Sequence, residues 1–313
     1  MTSGQGVAVN SPVSSSALTG GTAYIDALFV PISEARIPIL DWGFLRSDAT
    51  YDVVHVWQGS FFRLDDHLNR FLRGMQRLHM SLPHSRDRIR EILFECVKLS
   101  GLQDAYVEMI CTRGVPTHGS RDPRQCINRF YAFAVPFVWI ANPEKQKEGR
   151  HLIISQVHRI PEASIDPTVK NYHWLDLVAG LYEAYSRDGE TAILSDHEGN
   201  VIEGPGFNIF VVKKGKIATP LRGVLEGITR RTVLEMGMML NISVETRNVS
   251  AEQVRQADEV FITSTAGGIM PVTKVDSRLL GDGRPGPITL QLHKQYWSLH
   301  QDSRHVSPIQ YFP

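Results

Sequence analysis

The sequence predicts an α+β fold in two domains. Strand-like and helix-like stretches mix without the regular strand–helix alternation of a doubly wound sheet. At 313 residues the chain exceeds a usual single domain. Between its halves, from Asn142 to Arg150, apolar content collapses and charge rises, as in an interdomain linker. The chain therefore divides into a disordered N-terminal segment (1–20), a small N-terminal domain (21–140), a linker (141–150) and a large C-terminal domain (151–313).

Each element follows from a local pattern. Residues 1–20 are rich in Ser, Gly, Thr and Val, without Lys, Arg or an apolar run. They match neither a signal nor a transit peptide, so a cytoplasmic protein is expected. Thr22–Val30 and Thr50–Trp57 read as strands, the second meeting a turn at Gln58-Gly59. Asp65 and Asp66 open a helix whose Leu68, Phe71, Leu72, Met75 and Leu78 recur every three or four residues and make one buried stripe. A second helix runs from about Ser85 to Ser100 and stops at Gly101. Ala105–Arg113 and Arg129–Ile140 are strand-like. Between them lies a polar loop, Gly114–Asn128, of a length that often carries function. In the second half, His151–Arg159 reads as a strand, Leu175–Ser186 as a helix, and Thr191–Pro220 as successive strands. Gly227–Leu240 is helical, Val260–Ser264 a strand, and Ile288–His300 a last helix.

Composition removes several function classes. Lys plus Arg and Asp plus Glu number 33 each, which leaves no electrostatic footprint for nucleic acid or an anionic membrane. No stretch approaches the roughly 18 apolar residues of a membrane span. Cys96, Cys111 and Cys126 are odd in number and widely spaced, and read as buried or free thiols. The 12 histidines form no paired metal-ligand spacing, so no metal is expected. Gly281–Gly286 lacks the Lys-Ser/Thr of a phosphate-binding P-loop, and no nucleophile elbow occurs.

What remains is one lysine, one acid and two turns, in that order. Lys170 stands in Asp166-Pro-Thr-Val-Lys-Asn171 before the aromatic stretch Tyr172-His-Trp174. Glu203 lies between Val201-Ile202 and the tight turn Gly204-Pro-Gly206, where backbone passes close to a ligand ring. Gly227-Ile-Thr229 opens a helix and offers unpaired amides to an anion, although a plain Thr cap explains the same letters. Ser264-Thr-Ala-Gly-Gly268 ends a strand with two hydroxyls and two glycines, which suits an anion nest or a simple turn. An arginine from the first-half helix would complete a phosphate cradle, and Arg63, Arg70, Arg73 and Arg77 all qualify by spacing. Pyridoxal phosphate requires this combination: an amine for an imine, a carboxylate for its pyridine nitrogen and donors for its phosphate.

With these residues in place, the chain resembles the class IV pyridoxal-phosphate aminotransferases of fold type IV, most closely the (R)-selective amine transaminases. The matching stretches are Phe61–Arg70, Ile165–Asn171, Glu203–Asn208, Gly223–Thr229 and Thr265–Pro271. The resemblance implies a smaller N-terminal α/β sandwich and a larger C-terminal domain with a barrel-like sheet and helices. It implies Lys170 as imine former and proton shuttle, Arg70 as the phosphate arginine and Glu203 as the pyridine-nitrogen partner. Leu225 would pack on the ring, and Ile228, Thr229, Ser264 and Thr265 would hold the phosphate end. By the same carry-over Arg46, Tyr51, Val53, Tyr106, Val138, Ile140, Trp174 and Ser264 line the substrate pocket. Arg121 and Arg124 are both candidates for a carboxylate-binding arginine. The chain departs from the amine transaminases at Arg46-Ser47-Asp48, where His-Ser-Asp is common, and at Ser264, where Thr is common. Tyr51-Asp-Val-Val differs from the Phe-Glu-Gly of branched-chain enzymes. The implied reaction moves the amino group of an (R)-amine to a keto acid such as pyruvate in a homodimer whose sites borrow a partner loop. D-amino acid transaminase, then branched-chain aminotransferase or aminodeoxychorismate lyase, are the alternatives.

Overall fold

A computed structural model describes residues 20–311; the segment expected to be disordered lies, apart from Gly20, outside them. The first half begins with β1 (Thr22–Ile25) and β2 (Leu28–Pro31). These form a hairpin rather than one strand, because Asp26 and Ala27 adopt left-handed φ values of 49° and 64° and reverse the chain. A short helix α1 (Trp42–Arg46) leads to β3 (Ala49–Trp57) and β4 (Ser60–Phe62). Then come α2 (Leu64–Arg77) and α3 (Arg86–Ser100), the latter capped by the Ser85 side chain and stopped by left-handed Gly101.

The long strands β5 (Ala105–Pro116) and β6 (Cys126–Pro136) shorten the loop expected over 114–128. Gly114, at φ +82°, lets β5 pass a register irregularity and continue, and a Cβ there would lie 1.9 Å from the Ile127 carbonyl oxygen. Pro136 ends β6, so Val138 and Ile140 fall beyond the strand. The stretch read as a linker contains a helix, α4 (Pro143–Glu148), whose Asn142 side chain caps Lys145 N and whose first residue is proline.

The second half comprises β7 (Arg150–His158), α5 (Leu175–Ser186), β8 (Thr191–Ser195), β9 (Glu203–Gly204), β10 (Phe207–Lys213), β11 (Lys216–Thr219), α6 (Ile228–Met239) and β12 (Val244–Thr246). It continues with α7 (Ala251–Arg255), β13 (Glu259–Ser264), β14 (Gly268–Val275), β15 (Arg278–Leu279) and α8 (Pro287–Ser298). The final strand, β16 (Val306–Pro308), returns to pair with β4 in the first sheet.

Two sheets result. The first is antiparallel, in the order β16-β4-β3-β5-β6-β1-β2. The second is mixed, in the order β12-β11-β10-β13-β14-β7-β8, with β9 on β10 and β15 on β14. The stripe of α2 buries Leu64, Leu68, Phe71 and Met75 against the first sheet together with Ile89, Ile92 and Leu93 of α3. In the second half Phe210, Phe261, Val233 and Tyr296 share a cluster with Phe62 from β4, which joins the two layers. The three cysteines are unpaired, and burial pushes the Cys96 and Cys111 thiols up to about 12.

Candidate active site

Lys170 reaches the middle of the molecule because its loop is tied to the first sheet. Tyr51 N (3.1 Å) and Thr50 Oγ1 (2.9 Å) both donate to the Lys170 carbonyl. An isolated bridge joins Thr50 and Asn171. The amine Nζ sits 4.5 Å from the centre of the Tyr51 ring. That ring stacks on Tyr172 at 4.2 Å between centroids and 10° between planes. The lysine faces a cavity of about 400 Å3 between the two halves, large enough for a cofactor and a small substrate.

Glu203 lines the same cavity from β9, where it pairs with Asn208 of β10. Arg159 Nε donates to its Oε1 at 3.2 Å and Leu225 N to its Oε2 at 3.0 Å, while Arg159 Nη1 also holds Asp176 at 2.7 Å. Burial raises the Glu203 carboxyl above its ordinary value, against the opposing pull of Arg159 and the Leu225 amide. Gly204 is required at the adjoining turn, because a Cβ would meet the Phe207 ring at 2.1 Å and the Ala192 carbonyl oxygen at 2.4 Å.

Of the four arginines that spacing left open, only Arg70 lines this cavity. Arg63 is engaged with Asp66, Thr232 and Glu235, Arg73 with Glu226, and Arg77 with Asp166. Arg70 is buried, with Nε and Nη2 on the Asp52 carboxylate at 2.7 and 2.8 Å and Nη1 on the Glu226 carbonyl at 3.0 Å.

The start of α6 carries no side-chain cap: Gly227 occupies the cap position, with Ile228 and Thr229 buried behind it and lining the cavity. A Thr cap is therefore not what these letters encode. Gly227 has ordinary φ, but an added Cβ would lie 2.2 Å from Asn208 Oδ1, whose Nδ2 in turn donates to the Leu225 carbonyl at 2.9 Å. At the end of β13 and in the turn that follows it, Ser264, Thr265 and Ala266 line the cavity, together with Thr263, whose buried Oγ1 has no protein partner. Gly267 and Gly268 adopt φ values of +146° and +71° as the chain turns into β14. An uncapped helix start, an orphaned hydroxyl and an arginine with free N–H groups suit a phosphate.

The substrate-lining candidates separate into two groups. Tyr51, Val53, Tyr106, Val138, Ile140, Trp174 and Ser264 surround the cavity with Lys170. Arg46, Arg121 and Arg124 do not reach it within one chain. Arg46 ends α1 in an exposed position with its guanidinium 3.4 Å from the Trp42 ring centre. Arg121 and Arg124 sit exposed on the outer tip between β5 and β6, and Arg124 closes on Asp122 at 2.7 Å.

Sequence reasoning missed Arg159, Asp52, Glu108 and Asn208. Glu108, opposite Val53 on β5, accepts from Tyr172 at 2.6 Å and from Tyr106 at 3.3 Å. Burial raises its carboxyl above the ordinary range although both hydroxyls and Lys170 oppose this. Asp52 did carry a signal: between Tyr51 and Val53 in a strand, its side chain must point to the opposite face, toward α2.

A lysine amine, a buried carboxylate held apart from it, and an anion cradle in one enclosed space define a pyridoxal-phosphate enzyme. Within that class the assignment is specific: residues 49–275 match the family model for amino-transferase class IV, and the chain belongs to that family. Class IV aminotransferases use pyridoxal phosphate, and the cavity residues fit it. A putative branched-chain-amino-acid aminotransferase of Methanocaldococcus jannaschii is 30% identical over 276 residues, covering 87% of this chain and 94% of that protein. A D-alanine aminotransferase of Listeria monocytogenes is 29% identical over 271 residues, with 84% and 90% covered. The branched-chain amino acid aminotransferase from Thermobaculum terrenum, solved in its pyridoxal-phosphate form, superposes with a TM-score of 0.83 at 26% identity over 92% of this chain and 98% of that one. These relatives bear branched-chain and D-alanine names rather than that of an (R)-selective amine transaminase.

Proposed function

We propose that this aminotransferase takes the amino group of an (R)-amine and passes it to a keto acid such as pyruvate. One observation supports this reading above the others: the arginines that line the cavity are already engaged. Arg70 is bound to Asp52, Arg159 to Glu203 and Asp176, and Arg150 lies 3.5 Å from Glu190. The cavity lining also includes the apolar side chains of Val53, Val138, Ile140 and Trp174. Within one chain a carboxylate entering here would lose water without gaining a cation, at a cost of several kcal/mol that falls on the keto acid acceptor as well as on an amino acid donor. An apolar amine has no such cost.

In this reading Lys170 Nζ would hold the cofactor and would carry the proton off and onto the substrate carbon. Glu203 would face the pyridine nitrogen, with Arg159 and the Leu225 amide opposing the burial that raises its carboxyl. Arg70, the Ile228 and Thr229 amides, Ser264 and Thr265 would hold the phosphate, and Leu225 would cover the ring. Bound there, pyridoxal phosphate supplies the electron sink. The keto acid acceptor needs a cation that the amine does not, which gives Arg46, Arg121 and Arg124 a role from outside the cavity. A homodimer, each site completed by a partner loop, would bring one of them in.

Initial rates with 2-ketobutyrate as acceptor test the proposal, with (R)- and (S)-1-phenylethylamine, D-alanine and L-leucine as donors. The expected order places the (R)-amine first, about a hundredfold or more above its enantiomer. Faster turnover of D-alanine or L-leucine would replace the reading by the activity in the relatives' names.

A further inference from the structure

We infer that Asp52 is a positioning residue for the cofactor phosphate: it aims Arg70. The inference rests on the reading of Arg70 as the phosphate ligand and is independent of the amine donor. Asp52 is fully buried on the face of β3 turned away from the substrate, and it accepts four hydrogen bonds. Arg70 supplies two of them, His67 Nδ1 a third at 2.8 Å, and Val53 N the fourth at 2.8 Å. No rotation is open to a carboxylate so fully engaged.

Arg70 has five N–H groups. Two go to Asp52 and one to the Glu226 carbonyl, leaving one each on Nη1 and Nη2. The planar fork fixes the remaining Nη2 hydrogen on the side away from Asp52, so the carboxylate decides where the unused donors point. The arrangement has a second consequence. Asp52 offsets the charge of Arg70 through two hydrogen bonds, so the pair's attraction for the phosphate is directional rather than coulombic.

The two roles predict opposite signs. Were Arg70 a simple point charge, removing its counterion would tighten phosphate binding. If aim is what matters, the same change loosens it. Apoenzyme is titrated with pyridoxal phosphate and, separately, with pyridoxal, which forms the same imine with Lys170 but has no phosphate; absorbance reports both affinities. Asp52→Asn is expected to weaken pyridoxal phosphate by about ten- to a hundredfold, the worth of a charged hydrogen bond, and to leave pyridoxal unchanged. Unchanged or tighter pyridoxal phosphate binding overturns the inference, as does an equal loss for both ligands. Should that variant fail to fold, Asp52→Glu keeps the charge and displaces the fork; the same fall in the affinity ratio is expected, and an unaltered ratio overturns it. Arg70→Lys separates the two layers. If it preserves the ratio, Arg70 is not the phosphate ligand; if it lowers the ratio while the Asp52 variants do not, only the aiming role is lost.

Discussion

Tyr51 holds Lys170 at both ends: its amide donates to the lysine carbonyl at 3.1 Å and its ring lies 4.5 Å from the amine. A strand of the first sheet thus places the reactive group of a loop that belongs to the second half. Removing the amine should leave this scaffold intact. Lys170→Ala is expected to fold like the parent, bind cofactor without the yellow imine absorbance, and lose transamination by about three orders of magnitude or more. Stopped-flow absorbance with the preferred donor checks it; turnover at the parent rate would remove Lys170 from the chemistry.

Arg159 stands between Glu203 and Asp176, with its side chain largely buried. Arg159→Met should cost about 3 kcal/mol of stability, because two carboxylates lose their shared cation. It should also drive the Glu203 carboxyl further above its ordinary value, since Arg159 is the main charge opposing burial there. Chemical denaturation measures the first effect. A fall in kcat larger than the rise in KM measures the second.

Glu108 gives a pH signature. Its folded-state value lies above the ordinary glutamate value, so folding favours the protonated form. The corresponding stability is complete below the unfolded value of about 4.3 and is lost as pH rises toward the folded one. Glu108→Gln removes that loss. In thermal melts of apoenzyme, the variant's Tm relative to the parent should climb as pH rises above about 4.3; a constant difference would contradict the assignment.

Gly227→Ala tests the close approach at the start of α6. Backbone φ is −59°, which alanine accepts, but the new methyl would press on Asn208 Oδ1. Relief requires Asn208 to release Leu225. A stability loss of about 1–3 kcal/mol is expected, with weaker cofactor retention in a dialysis assay. Loss of stability without loss of cofactor would place the helix start away from the phosphate.

Much of this was legible in the letters. The helix expected over Leu175–Ser186 is present with those bounds, and the stripe of α2 is buried as its spacing requires. Lys170 and Glu203 do face one cavity, with Gly227 and Ser264 turned toward it. The choice among Arg63, Arg70, Arg73 and Arg77 was not legible from spacing, because it depends on which arginine Asp52 captures across two elements. Arg159 left no local trace, since its partner Glu203 is 44 residues away. Arg46, Arg121 and Arg124, named from the resemblance, do not line the cavity of a single chain. The strand β14 also escaped notice, as its glycines read as a turn and hid the strand that follows.

The return of β16 to β4 carries a mechanical consequence. After α8 has packed within the second half, the chain crosses back and closes an edge of the first, where the Arg63 amide also donates to the His305 carbonyl at 2.7 Å. A protein laced in this way resists opening like a hinged book, since its covers are stitched along the spine. Heat should accordingly melt both halves in a single calorimetric transition, and clipping the chain ahead of Val306 should split that peak in two.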